Sequence, residues 1–467
     1  MNVTVARARV SGWFATWRPV LPLFGAEFIV WIGFGALLPV LPLYFIGQGV
    51  DLATLGLVVA AWPAARLIGE PIFGWLADRT ARVPLMVGGL VFSGLFLASP
   101  LVVHGAAAFV LMRALAGLAT AAYDPAARGF LIDAMPAEKH GEAFGWYGSF
   151  QMSGLLFGPA IGGIGAAVFG GIGFGLVFGG ITSLLAAVAV AVTVHEAPRR
   201  GRPSVIADPP LTSGGDPPTA APEPSPIASP ASLVNRLLIA AIILNASGNF
   251  GGGMYDVVWS PYLTKLGGSI GLVGLTFTMF SLPVLVLGPI VGRVVDRRGT
   301  FWFLVVGSCM VGVASLAYTQ ITDAFLAVPI ILVEATGFAI IWPALYAVVA
   351  RGSPAGRSST AQGVYGASGT VGFVVASLIT GVLAGVDMRY PFFLFSGVSF
   401  VFLALALLVG GRAIVASDPS TAHRRTRLAT PAALEAAGHL TGFVAEPAVE
   451  LPGERGAPDR RPSSGSD

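Results

Sequence analysis

The sequence has little of the chemistry on which soluble enzymes depend. Only 11% of its 467 residues are charged, and it contains one cysteine, two lysines and five histidines. The single thiol of Cys309 excludes an internal disulfide bond, and the scattered histidines form neither a metal-ligand cluster nor a nucleophile-and-base pattern. A phosphate-binding loop needs a lysine directly after a glycine, whereas Lys139 and Lys265 follow Glu and Thr. The sequence therefore predicts that the protein is not an enzyme, hydrolyses no ATP and holds no metal or cofactor.

Long apolar runs fill most of the chain instead. Hydrophobic residues make up 55% of the sequence, and the mean hydropathy is +0.78. A helix needs about 20 apolar residues to cross about 30 Å of hydrocarbon. This pattern predicts an all-α membrane protein with twelve transmembrane helices. The twelve runs, called spans 1 to 12, lie at residues 20–46, 54–77, 84–104, 106–127, 143–167, 171–194, 237–263, 271–292, 301–320, 325–350, 360–384 and 390–411.

The second half of the chain repeats the first at a constant offset of 218 positions. Parallel repeats of this kind enclose a substrate site between two halves, near the bilayer midplane. The repeat therefore predicts two pseudo-symmetric six-helix halves. The residues that recur at this offset are Tyr44 and Tyr262, Gly56 and Gly274, Pro71 and Pro289, Gly74 and Gly292, Asp78 and Asp296, Arg79 and Arg297, Gly145 and Gly363, Tyr147 and Tyr365, and Gly154 and Gly372.

Two polar, proline-bearing segments without apolar periodicity are typical of disorder. They are interpreted as a spacer and a tail, with a regulatory role as the alternative. We predict a cytoplasmic N-terminus at 1–18, an N-terminal half at 19–196, a disordered cytoplasmic linker at 197–232, a C-terminal half at 233–412 and a disordered cytoplasmic tail at 413–467.

Basic residues fall on one side of the predicted membrane. With both termini inside, only Lys265 and Arg389 lie in loops on the outer side. The positive-inside rule thus predicts that both termini are cytoplasmic. Arginines beside anionic lipid also account for the net charge of +3 without a nucleic-acid partner. The first 18 residues lack the apolar core of a secretory signal, so we expect span 1 to be retained. The composition, rich in arginine, alanine and glycine, suggests the plasma (inner) membrane of a bacterium.

Three motifs resemble those of the major facilitator superfamily, and the likeness covers roughly residues 19–411. One is the run from Gly74 to Arg82 between spans 2 and 3, and another is Arg113-Ala-Leu-Ala-Gly117 on span 4. The third resembles the signature of proton-coupled drug antiporters and is complete only on span 5. The resemblance implies alternating access around a cavity lined by spans 1, 4, 7 and 10. The positions of the span 5 motif are Gly145, Gly154, Gly158, Pro159, Gly162 and Gly163.

The first motif and its repeat predict a gate at the cytoplasmic ends of the spans. Asp78 and Asp296 are placed to accept hydrogen bonds from a helix N-terminus of the opposite half, where the macrodipole favours an anion. Gly74 and Gly292 are interpreted as allowing a tight helix end and close backbone approach. The alternative is that these residues are only topology anchors and turn-formers. The predicted gate comprises Gly74, Asp78, Arg79, Arg82, Gly292, Asp296 and Arg297.

Charges inside the spans are the candidate functional sites, because each costs about 2.5 kcal/mol or more in a membrane. Glu27 and Arg113 each lie roughly 13 Å from their own, opposite membrane faces at about 1.5 Å per residue. In the antiporters that the chain resembles, an acidic residue of span 1 and the span 4 arginine serve proton coupling. We predict that Glu27 accepts the proton and that Arg113 sets its proton affinity, with Glu334 of span 10 as the second candidate. A permanent salt bridge or a snorkelling carboxylate is the alternative.

Aromatic and amide side chains continue these charged stripes at helical spacing and predict a substrate cavity. Flat rings bind lipophilic and cationic molecules by contact area and by cation–π attraction. The alternative is that most of the rings pack or anchor at the interface. Arg66 and Glu70 are interpreted as a structural pair. The predicted cavity residues are Trp31, Phe34, Gln151, Asn245, Asn249, Asp256, Trp259 and Trp342.

Three functions stay open, in decreasing order of support. The first is export of a small hydrophobic or amphiphilic, drug-like molecule in exchange for protons. The second is a proton-coupled symporter or facilitator of a sugar or metabolite, against which the span 5 motif and the scarcity of amides argue. The third is a transport-inactive receptor or scaffold. We expect a monomer whose partners are a small-molecule substrate, protons and the lipid bilayer.

Overall fold

The computed structural model of the chain describes residues 16–136, 139–169, 171–195, 235–353 and 358–418. Within these ranges eleven helices are long and apolar enough to cross a membrane, and Leu21–Leu37 with Leu41–Gly47 forms a twelfth span bent by 44°. The prediction of an all-α protein with twelve transmembrane helices is confirmed. Spans 2 to 12 are Leu52–Arg79, Arg82–Ala98, Ala106–Ala134, His140–Val168, Phe174–Thr193, Arg236–Lys265, Ile270–Arg298, Phe301–Tyr318, Ala327–Gly352, Ser358–Val386 and Tyr390–Ser417.

Proline and glycine set the ends of the spans that carry the repeat. The bend in span 1 follows from Pro39 and Pro42, which have no amide hydrogen and interrupt the backbone hydrogen-bond ladder. Gly49 after span 1 and Gly267 after span 7 both have a φ of 83°. Because only glycine adopts this left-handed conformation at low cost, it ends both helices in the same way.

Both ends of the described chain lie at one membrane face, which we call the terminal face. Asp418, which follows span 12, accepts 2.8 Å hydrogen bonds from the amide of Thr300 and from Arg351 Nη1. This anchor explains why span 12 continues to Ser417, past the predicted boundary at 412. The predicted linker and the rest of the predicted tail lie outside the described residues. The loops after Gly47, Leu101, Val168, Lys265, Tyr318 and Val386 form the opposite face.

Each half is a six-helix bundle with the same internal contacts. Span 1 packs on spans 5 and 6 and span 4 on spans 2 and 3, as span 7 packs on spans 11 and 12 and span 10 on spans 8 and 9. Individual bonds repeat as well. Tyr44 OH donates to the carbonyl of Pro100 at 2.8 Å, and its repeat counterpart Tyr262 donates to the carbonyl of Tyr318 at 2.5 Å. The predicted pseudo-symmetry is confirmed.

The halves meet through spans 2 and 11 and through spans 5 and 8, where glycines let backbones touch. A Cβ on Gly56 would lie 3.1 Å from the Cα of Gly381, and a Cβ on Gly274 would lie 3.0 Å from the Cα of Gly163. Both contacts lie toward the opposite face. Near the terminal face, a Cβ on Gly145 would have no neighbour within 4 Å. The halves are therefore closed together at the opposite face, and a cleft between them opens at the terminal face.

Candidate functional site

Glu27 of span 1 is fully buried and is held by four neutral donors. Its Oε1 accepts hydrogen bonds from the hydroxyls of Tyr123 and Tyr147, both at 2.5 Å. Its Oε2 accepts from Gln151 Nε2 at 2.8 Å and from Trp31 Nε1 at 3.2 Å. These five residues, the Glu27 cluster, join spans 1, 4 and 5. Within the described part of the chain, no ion pair offsets the charge of this carboxylate.

Arg113 does not contact Glu27 in the structure, although it was predicted to lie beside Glu27 and to set the proton affinity of that carboxylate. In this conformation the Arg113 guanidinium carbon lies 5.8 Å from the ring centre of Trp62. Sequence reasoning also missed the hydroxyls that bond Glu27. Tyr147 and Gln151 stand at i and i+4 on span 5, so their shared helix face was the available signal.

Three aromatic side chains, which we call the aromatic wall, line a pocket inside the N-terminal half. The ring of Phe34 lies 5.4 Å from that of Trp31 and 5.4 Å from that of Trp62. About 630 Å³ of empty space adjoins these rings, Arg113 and Thr120. The predicted cavity residues Trp31 and Phe34 thus lie beside the Glu27 cluster, and Trp31 belongs to both.

Arg66 of span 2 ties two neighbouring spans together. Its Nη2 donates to Glu70 Oε1 at 2.6 Å, which is the predicted structural pair. The same nitrogen donates to Asp124 of span 4, and Arg128 Nη2 lies 3.8 Å from that carboxylate. The pair is therefore part of a network between spans 2 and 4, which the helical spacing of span 2 alone does not indicate.

Glu334 of span 10 is the second buried carboxylate, 1% exposed. It accepts hydrogen bonds from the hydroxyls of Tyr255 at 2.6 Å and Tyr318 at 2.9 Å. These three residues form the Glu334 cluster. Trp259, predicted to line the cavity, is 1% exposed, packs 4.9 Å from the Tyr318 ring and donates to Thr276 Oγ1 at 2.9 Å. Its indole N–H therefore already has an acceptor, and the side chain belongs to the core around the Glu334 cluster and does not line the cavity.

The other predicted cavity residues of the C-terminal half surround a pocket of about 410 Å³, lined by Asn245, Asn249 and Trp342. Asn245 Nδ2 donates to the carbonyl of Tyr365 at 2.6 Å, and Asn249 Nδ2 donates to Asn245 Oδ1 at 3.0 Å. Asn245, Asn249 and Tyr365 are the repeat counterparts of the glutamate, tryptophan and span 5 tyrosine of the Glu27 cluster. Asp256 lies farther along span 7, near the closed end of the cleft.

The predicted gate residues of the N-terminal half lie at the terminal face. Arg82 Nη1 donates to Asp133 Oδ2 at 2.6 Å, and its Nη2 lies 3.8 Å from Asp78, whose side chain is 76% exposed. The Arg79 guanidinium lies 4.0 Å from the ring centre of Trp75. The predicted latch belongs to the state in which the terminal face is closed, so it stays a prediction. The side chain of its repeat counterpart on span 8, Asp296, lies outside the described residues.

The interpretation of Gly74 and Gly292 as helix ends is wrong. Both lie inside their helices, since span 2 continues to Arg79 and span 8 to Arg298. Cβ atoms added to them would lie 3.8 Å from Pro125 Cβ and 3.9 Å from Pro343 Cβ, which is ordinary contact. They face the proline of the adjacent span in both halves. Arg297, the remaining predicted gate residue, is exposed at the terminal face.

Most of the span 5 motif packs against span 1. A Cβ on Gly158 would lie 2.7 Å from the Cα of Gly35, and a Cβ on Gly154 would lie 2.8 Å from Trp31 Cβ. A Cβ on Gly162 would overlap the carbonyl of Ala36. The three glycines share one face of span 5 and hold it against span 1, which places the span 5 donors of the Glu27 cluster.

The remaining motif positions face elsewhere. Gly163 touches Gly274 of span 8, and the Pro159 carbonyl lies close to the same glycine. Gly145 has open space around it. Span 5 runs as one helix from His140 to Val168 through the proline. The motif thus takes part in two contacts, one with span 1 inside the N-terminal half and one with span 8 of the other half.

Comparisons with known proteins agree with this architecture. The sequence profile of the Major Facilitator Superfamily matches residues 23–261 and 241–445. The quinolone resistance protein NorA of Staphylococcus aureus is 28% identical over 142 residues, which cover 30% of this chain and 37% of that protein. Multidrug resistance protein 2 of Bacillus subtilis is 29% identical over 133 residues, covering 28% of this chain and 33% of that protein. The chain therefore matches well under half of the length of these curated relatives.

Solved structures share the fold. A bacterial homolog of the human lysosomal transporter Spinster, inward-facing and unoccupied, has a TM-score of 0.64 at 17% identity and covers 86% of this chain and 98% of that one. The nucleoside transporter NupG has a TM-score of 0.66 at 13% identity, covering 83% and 99%. Because the family profile spans both halves and the fold is shared, the chain belongs to the major facilitator superfamily of membrane transporters.

Proposed function

We propose that the protein exports small, amphiphilic aromatic molecules in exchange for protons, by alternating access. The observation that carries this proposal is the buried Glu27 carboxylate, which only neutral donors bond. An unpaired carboxylate is costly inside a membrane, and binding a proton removes its charge. Four neighbouring groups can donate to its ionised form, and either tyrosine hydroxyl can instead accept a hydrogen bond from its protonated form, so the cluster accommodates both protonation states.

Trp31 connects the proton site to the substrate path. Its indole N–H bonds Glu27, and its ring is part of the aromatic wall. A protonated Glu27 is a weaker acceptor, because hydrogen bonds to ionised groups are the stronger ones. Protonation then loosens Trp31 and changes the wall that a substrate contacts. By linkage, a bound substrate changes the proton affinity by the same factor.

The distribution of basic residues supports a direction of transport, from the cytoplasm outward. The arginines gathered at the terminal face support a cytoplasmic position of that face. In that orientation the cleft opens toward the cytoplasm and takes its substrate there. Protons then reach Glu27 from the other side when the opposite face opens. Glu334, bonded by two hydroxyls, is the second proton site. One chain encloses the whole cleft, which supports a monomer in the plasma membrane.

The aromatic wall supports a broad, drug-like substrate. Trp31, Phe34 and Trp62 offer large apolar faces, and few amides adjoin them. The relatives named for quinolone and multidrug resistance, each aligned over about a third of its length, support the same class of substrate.

The test uses inverted membrane vesicles with an acidic interior, a pH-sensitive dye and a panel of lipophilic drugs. For the wild type, adding a drug is expected to release protons and restore the fluorescence. For Glu27→Gln the response is expected to fall at least tenfold, to the level of vesicles without the protein. The control is Glu142→Gln, which removes an exposed carboxylate at the start of span 5 and should respond as the wild type does.

Two results would contradict parts of this proposal, the first the assigned proton site and the second the export function itself. A full response in Glu27→Gln would remove Glu27 as the proton site and leave Glu334. Proton movement driven by sugars or metabolites, with none driven by drugs, would replace efflux with symport or facilitated uptake.

A further inference from the structure

Two charged side chains at the closed end of the cleft have no bonding partner among the described residues. Arg113 is 6% exposed, and its Nε is a buried donor without an acceptor. Asp256 is half-buried on span 7 and accepts no hydrogen bond from any described group. The two side chains act on each other electrostatically without forming an ion pair.

The packing around these groups places both at the end of the cleft. Phe109 of span 4 and Val257 of span 7 belong to one apolar cluster that closes the opposite face. Arg113 lies one turn from Phe109 toward the terminal face, and Asp256 precedes Val257 in the same direction. One charge from each half therefore lies at the depth just below the closure, close enough to the other for an electrostatic interaction.

A buried donor without an acceptor is costly, because it loses its hydrogen bond to water and makes none in return, and Nε of Arg113 is such a donor. A carboxylate of a ligand would satisfy two donors of the guanidinium at once. A ligand ammonium or iminium group would do the same for Asp256. The Trp62 ring, 5.8 Å from the guanidinium, provides a flat apolar surface between such groups and the rest of the cleft.

We propose that Arg113 and Asp256 together select zwitterionic aromatic substrates, with the anionic group on Arg113 and the cationic group on Asp256. This inference rests on the proposed export function and narrows its substrate class. Selectivity has a repulsive part as well. A purely cationic molecule would bring a second positive charge to Arg113, and a purely anionic molecule would bring a second negative charge to Asp256. Because the two residues belong to different halves, a zwitterion also bridges the halves.

The test uses three xanthene dyes on one rigid scaffold, bound to the purified protein in detergent at pH 7.5 and followed by fluorescence polarisation. Rhodamine 110 carries a carboxylate and a cation, rhodamine 123 is its methyl ester and keeps only the cation, and fluorescein is anionic. The wild type is expected to bind rhodamine 110 at least about tenfold more tightly than either of the others, the effect of one charged hydrogen-bonded contact.

The variants separate the two contacts. Arg113→Gln should lower the affinity for rhodamine 110 to that for its methyl ester, rhodamine 123. Arg113→Lys should keep part of the preference for rhodamine 110, because lysine keeps the positive charge but lacks the planar guanidinium. Asp256→Asn should bring rhodamine 110 and fluorescein to similar affinities. Elution as a single peak and an unchanged melting temperature show that each variant is folded.

Equal affinity of the wild type for rhodamine 110 and its ester, including failure to bind either, would overturn the proposal. Loss of binding of all three dyes in a folded Arg113→Lys variant would also overturn it, because the residue would then only support the structure. The binding assay needs no proton movement. A preference for the zwitterion without proton release in vesicles would refute the exchange function and leave the selectivity standing.

Discussion

At the scale of single residues, the charged groups of the spans differ in the partners that hold them. Glu27 and Glu334 are bonded by hydroxyl, amide and indole groups, which carry no charge. Arg66 instead lies between two carboxylates, those of Glu70 and Asp124. A charge that has an ionic partner holds helices together, whereas protonation of a carboxylate with neutral partners would break no ion pair.

Replacement of Arg66 by glutamine is expected to lower stability. The side chains of Arg66 and Asp124 are 18% and 13% exposed, so removing the cation leaves the poorly solvated Asp124 carboxylate without its nearest positive charge and beside the partly exposed Glu70. We expect a loss of stability of about 2 to 3 kcal/mol, less than the roughly 3 to 5 kcal/mol of a fully buried broken pair, because these side chains are partly exposed. The melting temperature in detergent measures it. Arg79→Gln is the control, because Arg79 is exposed and stacks on Trp75. Equal melting temperatures for the two variants would contradict a structural role of the network.

The sequence predicts only part of the candidate site at this scale. Glu27 is recognisable because a charge inside a span is costly, and Trp31 because it stands one turn away on the same face. Tyr123 and Tyr147 lie 96 and 120 positions from Glu27, so their contact depends on how spans 4 and 5 are rotated. Arg113 was predicted beside Glu27 from its depth. The position of a residue along its span predicts how deep it lies in the membrane, but it does not predict which way its side chain points around the helix axis.

At the scale of helices, the span 5 motif places its neighbours. The matched pair Gly162→Ala and Gly145→Ala tests this. A Cβ at Gly162 would overlap the carbonyl of Ala36, whereas a Cβ at Gly145 has open space. We expect Gly162→Ala to cost about 1 to 3 kcal/mol, as overpacked cores do, and to reduce drug-driven proton release because span 1 carries Glu27. Gly145→Ala should keep the melting temperature and activity of the wild type. The same loss in both variants would show that the motif acts other than through this contact.

The number of helices follows from hydropathy, and their lengths do not. Span 4 ends at Ala134 rather than at 127, and span 2 continues to Arg79. The added turns carry charged residues such as Arg128 and Asp133, which an apolar pattern leaves out. These turns lie at the terminal face, where charged side chains reach water or each other. Most of the predicted gate residues therefore lie within helices. Gly74 lies inside span 2 for the same reason, because the charged last turn extends the helix to Arg79.

At the scale of the whole molecule, the repeat explains the architecture. The positions at which the two halves differ carry the buried carboxylates. The halves share their glycine contacts and their tyrosine–carbonyl bonds. The position equivalent to Glu27 is Asn245, which bonds Tyr365 but has no proton to exchange at neutral pH. The position equivalent to Glu334 is Ala116. Within the described spans, each half therefore has one fully buried carboxylate that only neutral groups bond, and the two stand at positions that the repeat does not relate. Under the proposed function, proton binding would then be asymmetric in a symmetric framework.

Alternating access requires that the contacts at the opposite face open as the terminal face closes. Gly274→Leu is a wedge that tests this, because even a Cβ at this position would lie 3.0 Å from the Cα of Gly163. Spin labels on cysteines at Thr80 and Arg298, which are exposed at the terminal face, report its opening in a Cys309→Ser background. The wedge is expected to shift their distance distribution to shorter values, since the halves can no longer close at the opposite face. Gly288→Leu, on the same span with open space around it, should leave the distribution unchanged. An unchanged distribution in a folded Gly274→Leu protein would mean that the two faces move independently and that the halves do not rock as rigid units.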